Sequence, residues 1–122
     1  MNGSDWVKER ANCTLAKVFE ALRQQVTHDV EARNSLGPAS NSPRFSMLNN
    51  GESFTVLDER GSHKAVIFSR GQTAIVVRDE KDIVAFDAKP AMSDDGNCRL
   101  AISGREREIW QASKQALESL FF

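Results

Sequence analysis

Between residues 45 and 103 the chain divides into five or six short apolar-rich segments, each closed by a turn signal. No other feature constrains the fold as strongly. The segments are 44–48, 53–59, 63–69, 73–78, 83–87 and 97–102. Asn49-Asn50-Gly51, Arg60-Gly61-Ser62, Arg70-Gly71 and the acidic stretch 79–82 separate the first five. Asn-Gly is the strongest short-range hairpin signal, because both central residues of that turn need positive φ. Parallel strands need crossovers of a dozen or more residues, and these connections are too short. The expected sheet is therefore an antiparallel meander of five or six strands. A longer loop, 88–96, carries Pro90 and two aspartates before the last segment.

Two amphipathic helices frame this run. Advancing ~100° per residue from Leu15 puts Ala11, Val18, Phe19, Leu22, Val26 and Val30 on one stripe. One long helix is expected over about 5–33, with Ser4 as N-cap and a stop at Gly37-Pro38 before a polar loop at 39–43. A second helix is expected over about 104–121, opened by the capping box Ser103-Gly104-Arg105-Glu106. Ile109, Ala112, Ala116 and Leu120 form one stripe of it; Trp110, Leu117 and Phe121 form another. Its apolar arc is wide enough to meet two surfaces. The fold class is α+β, in a single domain spanning 1–122.

The middle segments Ala65-Val66-Ile67-Phe68, Ala74-Ile75-Val76-Val77 and Ile83-Val84-Ala85-Phe86 are apolar at consecutive positions. Strands apolar on both faces are usually covered on both. The first helix is expected on one face. The second helix covers the other face or pairs with the first, and a twofold partner completes the cover.

Composition narrows the functional classes. The net charge is -1, so binding to a polyanion would need a local basic patch rather than a global field. Arg44, Arg60, Lys64, Arg70, Arg78 and Arg99 are interleaved with Asp58, Glu59, Asp79, Glu80 and Asp82, which reads as a mixed-charge rim. No dinucleotide or P-loop glycine motif, nucleophile elbow, HExxH or CxxC occurs in the sequence. No catalytic residue, metal ligand or cofactor is expected. His28 and His63 read as surface residues. Cys13 and Cys98, two thiols without a framework, read as free. With no apolar leader in MNGSDWVKER and no long apolar run, the expectation is a cytoplasmic protein without a membrane span.

Asp29 and Arg33 project on the Leu15 stripe near its end, where a carboxylate and a guanidinium are out of place. Together with Arg78 they are the candidate polar groups of a ligand pocket between the first helix and a curved sheet. Trp6, Trp110, Leu117, Phe121 and Phe122 are the candidate interface residues, because Trp and Phe on helix faces often mark contacts. The leading expectation is a small non-catalytic protein-binding or adaptor module acting as a homodimer, and the alternative is a small-ligand-binding protein. The expected partners are a second copy and another protein; nucleic acid and membrane are not expected.

Overall fold

A computed structural model describes residues 6–37 and 44–122, and in it the first long helix is two helices. These are α1 (Trp6–Asn12) and α2 (Leu15–Ser35). Thr14 breaks the run: its backbone is extended, and its hydroxyl accepts the Lys17 N–H at 3.3 Å. A threonine at this position caps a helix by satisfying one of its orphan donors. The expected Ser4 cap and the loop at 39–43 lie outside the described residues.

The break re-aims Cys13. Rather than lying free on a helix face, it forms a disulfide with Cys98, with the Cα atoms 5.4 Å apart. The expectation of free thiols is corrected on this point. A continuous helix would have pointed Cys13 away from the Leu15 stripe, whereas a chain turning at Thr14 can bring it to the sheet.

The sheet has seven antiparallel strands in sequential order: β1 (Phe45–Asn49), β2 (Ser53–Asp58), β3 (Ala65–Arg70), β4 (Ile75–Asp79), β5 (Val84–Met92), β6 (Cys98–Ile102) and β7 (Arg105–Arg107). The α+β class and the meander are as the sequence implies. Two local readings differ. First, β5 runs through Pro90, where a loop was expected. Its first half pairs with β4 and its second half, Lys89 to Met92, pairs with β6. Ser93 donates to Asn97 just beyond, so alternate residues face β6 and the Pro90 nitrogen faces the side where β4 has ended. A proline is tolerated where no partner asks for its N–H. Second, Ser103 and Gly104 do not cap a helix. Both have positive φ, 53° and 78°, and they form the two-residue hairpin that opens β7. The last helix, α3 (Ile109–Phe121), starts five residues later, where the Glu108 N–H donates to Gln111 Oε1 at 2.9 Å.

Both long helices pack on the same face of the sheet. Phe54, Val56, Phe68, Ile75, Val77, Phe86, Leu100 and Ile102 meet Phe19, Leu22 and Val26 of α2 and Ala112, Ala116 and Leu120 of α3 in one core. Phe54 stacks on Phe68 at 4.5 Å and meets Phe19 at 5.2 Å. Of the two expected placements for the second helix, it pairs with the first. The outer sheet face carries Thr55, Leu57, Ile67 and Val76 half-buried and Leu48 and Val84 exposed, with no described element over it. The consecutive apolar runs thus reflect one deeply covered face and one on which aliphatic residues alternate with Thr55 and Arg78.

Edges are managed locally. Helix α2 runs along the free edge of β1. The Asn34 side chain bonds both the N–H (3.0 Å) and the C=O (2.9 Å) of Phe45, Thr27 reaches Met47, and Arg23 reaches Asn49. The other edge, β7, is three residues long and reads Arg-Glu-Arg. Short, charged edges resist pairing with another chain. Among the described residues no helix is long and apolar enough to cross a membrane.

Candidate functional site

Packing two helices side by side on one sheet face leaves a furrow between them on the side away from the sheet. Asp29 of α2 meets Ser113 of α3, and Arg33 meets Phe121, so the helices run in the same sense. The furrow is an open groove of about 420 Å³ with an overwhelmingly apolar lining. Six of the eight residues singled out from the sequence line it: Asp29, Arg33, Trp110, Leu117, Phe121 and Phe122. Trp6 lies elsewhere, exposed on α1, a helix with no buried residue. Arg78 lies on β4, its Nε 3.4 Å from Asp82 Oδ1.

The polar groups of the groove are already engaged. Asp29 accepts the Ser113 hydroxyl at 2.6 Å and the Gln25 amide at 3.0 Å. Ser113 is fully buried, so a partner for its hydroxyl is a physical requirement. Arg33 donates from Nε to the Phe121 carbonyl at 3.0 Å, near the end of α3, where free carbonyls and the helix dipole favour a cation. Its guanidinium also lies 4.9 Å from the Phe122 ring and 5.5 Å from that of Phe45. Both residues therefore bond across to α3 rather than to one another. On the rim, Lys114 and Glu118 are 3.1 Å apart, one turn from each other on α3. Two acids and two bases make the lining neutral.

Exposed apolar groups border this neutral surface. Leu36 is 73% exposed, Trp110 53% and Phe122 87%. The space between α2 and the sheet, where a pocket was expected, is filled by the phenylalanine core. Sequence reasoning missed Gln25, Leu36, Ser113, Lys114 and Glu118. A signal existed for Ser113: it is a polar residue within the buried arc of α3, and such a residue asks for a polar partner on a neighbouring element.

Other polar clusters fasten the fold. The buried Asp58 accepts from the Arg60 N–H (3.0 Å), Ser62 Oγ (2.8 Å) and Arg44 Nη2 (3.4 Å). Burial pushes its pKa up, but these hydrogen bonds and the Arg44 charge outweigh burial and hold it below the ordinary value. Arg99 joins Asp95, at 2.8 Å, to Glu108, at 3.0 Å, tying the β5–β6 turn to the start of α3. The Arg99 hydrogen bond is the chief reason the Asp95 carboxyl sits well below the usual carboxylate range. His28 is exposed on α2, and His63 is exposed in the turn after β2 with φ 56°. Neither lines the groove. Among the described residues no group of three or more His, Cys, Asp or Glu is placed to hold a metal ion.

No protein-family model, curated protein or solved structure matches the chain.

Proposed function

We propose that the protein is a small non-catalytic protein-binding module that acts as a homodimer, with the groove between α2 and α3 as its contact surface. The observation that carries this reading is the groove itself. It is open rather than enclosed, apolar, neutral and bordered by exposed Trp110, Leu36 and Phe122. Contact surfaces favour aromatic anchors and avoid unpaired charge at their centre. The convergent polar groups here satisfy each other, which suits a surface that is buried against protein better than one that moves protons. Sedimentation equilibrium at micromolar concentration tests the reading. The chain should sediment as a dimer of 13.6 kDa subunits. Trp110→Glu should raise the dissociation constant at least ~10-fold, as removal of a central aromatic anchor does.

The alternative, a small-ligand-binding protein, draws support from the volume of about 420 Å³, which is within the range of ligand sites. A monomer whose Trp110 emission shifts saturably with an apolar probe such as anilinonaphthalene sulfonate would favour it. The Cys13–Cys98 disulfide bears on compartment. Cytoplasm was expected from the absence of an apolar leader in MNGSDWVKER together with thiols read as free; a bridged pair fits an oxidising compartment.

A further inference from the structure

The groove sets strict terms for an occupant. Its walls are two helices whose backbone groups are bonded within themselves, so an extended peptide laid there would find no strand edge to pair with. Its floor groups, Asp29, Gln25 and Ser113, satisfy one another and ask for no donor. Its charges balance, so a highly charged ligand gains nothing. The occupant that meets these terms carries its own backbone bonds and offers apolar side chains over a neutral face. An amphipathic helix does this, and the chain exposes one: along α3 and its C-terminal cap the row Trp110, Lys114, Glu118 and Phe122 is exposed, beside the buried Leu117 and Phe121 that line the groove.

On the reading of the protein as a homodimer through this groove, we propose that the occupant is α3 of a second copy, seated antiparallel about a twofold axis level with residue 116. The register follows from the row itself. With the axis there, Trp110 of each copy falls opposite Phe122 of the other, and Lys114 falls opposite Glu118. These two charged side chains are 65% and 59% exposed, and in one chain they have only each other along the helix. The antiparallel register gives each an opposite charge on the second copy. A parallel pairing would set Lys114 against Lys114 and Glu118 against Glu118. Closed dimers are mostly twofold with one self-complementary patch, and this patch supplies both halves of each contact. The helix from Trp110 to Phe122 rises ~18 Å, more than three turns. The exposed parts of Leu36, Trp110 and Phe122 from two copies come to roughly 800 Å² of surface, most of the ~1,000 Å² that a specific interface needs before its polar rim is counted.

Reciprocal charge reversal tests this register. Lys114→Glu and Glu118→Lys are made separately in the full chain and studied by sedimentation equilibrium, alone and as an equimolar mixture. Each variant alone opposes like charges twice in its homodimer and should raise the dissociation constant roughly 3- to 30-fold. In the mixture each helix still carries its own like-charged pair, so any recovery comes from contacts between copies. The mixture should form a heterodimer with nearly wild-type affinity. Both side chains are exposed, and circular dichroism with a urea midpoint close to wild type shows that the variants are folded. A wild-type dimer that neither variant weakens overturns the α3 register and leaves the homodimer standing on another face. Weakening that the mixture does not relieve also overturns the register. A monomeric wild type overturns the homodimer reading, and the register with it.

Discussion

Asp58 sits in the core layer of β2, yet it is charged, and the β2–β3 turn is folded around it. Its two oxygens take the Arg60 N–H, the Ser62 hydroxyl and Arg44, so the charge is solvated by protein rather than by water. Hydrogen bonds to charged groups contribute more than neutral ones, and Asp58→Asn should cost about 1–3 kcal/mol. The pH dependence has a definite sign. The folded pKa lies below the ordinary carboxylate value, so the stabilisation is present above the unfolded pKa and is lost as pH falls through the folded one. The urea midpoints of wild type and variant should differ by a constant amount from pH 7 to about 5 and converge below about pH 4. A gap unchanged at pH 3 would mean that the negative charge contributes nothing to the turn. Asp29 shows the same logic across elements. It looked out of place on an apolar stripe, and it serves the buried hydroxyl of Ser113, 84 residues further along the chain.

Helix α1 buries no side chain, and the links from it and its hinge to the body are few. Among the described residues they include the Cys13–Cys98 disulfide, a long hydrogen bond from the Cys98 N–H to Glu9 Oε1, 3.5 Å, and one from Lys17 Nζ to Asn12 Oδ1, 2.7 Å. Helix α2 has its own cap in Thr14, so it does not need α1 in order to start. The disulfide spans a sequence separation of 85, and loop-closure entropy makes such a bridge worth about 4–5 kcal/mol in the chain-entropy model. Cys13→Ser paired with Cys98→Ser should lower unfolding stability by roughly 2–5 kcal/mol while the far-ultraviolet spectrum loses at most the small share due to α1. Thiol titration of the native wild-type protein should find no free cysteine. Finding two reactive thiols would remove the bridge. The start of α3 was misplaced for a related local reason. Ser-x-x-Glu reads as a capping box, but Ser-Gly also satisfies a two-residue hairpin, and the sequence window at 103–106 fits both. Pairing of β7 with β6 decides between them.

At the scale of the molecule, two surfaces with exposed apolar residues stay open among the described residues: the α2–α3 groove and the outer sheet face. They differ in composition. The groove concentrates large side chains along two helices, whereas across the sheet face Thr55, Ile67, Arg78 and Val84 alternate in a cross-strand row. Isolated apolar residues among polar ones are ordinary surface. Ile67→Glu should therefore leave the monomer–dimer dissociation constant within about 3-fold of wild type, since surface changes away from an interface usually cost within ±0.5 kcal/mol. Complete dissociation of Ile67→Glu would move the dimer contact from the helices to the sheet.

What the sequence by itself determined was local and periodic. The 3.6-residue stripe of Val18, Phe19, Leu22, Val26 and Val30 specified a helix with one buried side, and turn residues at short intervals specified an antiparallel meander. It also marked Asp29 and Arg33 as residues out of keeping with their stripe, and Trp110 and Phe121 as aromatic groups on a helix face suited to contacts. Only tertiary structure decided where those residues meet. The groove exists because both helices lie on one sheet face, and that choice depends on which of two apolar strand faces is buried, which strand patterns apolar on both sides leave open. The same holds for the disulfide and for the Ser113–Asp29 bond. Each joins positions more than 80 residues apart, and no periodicity within a helix or a strand carries information over that separation.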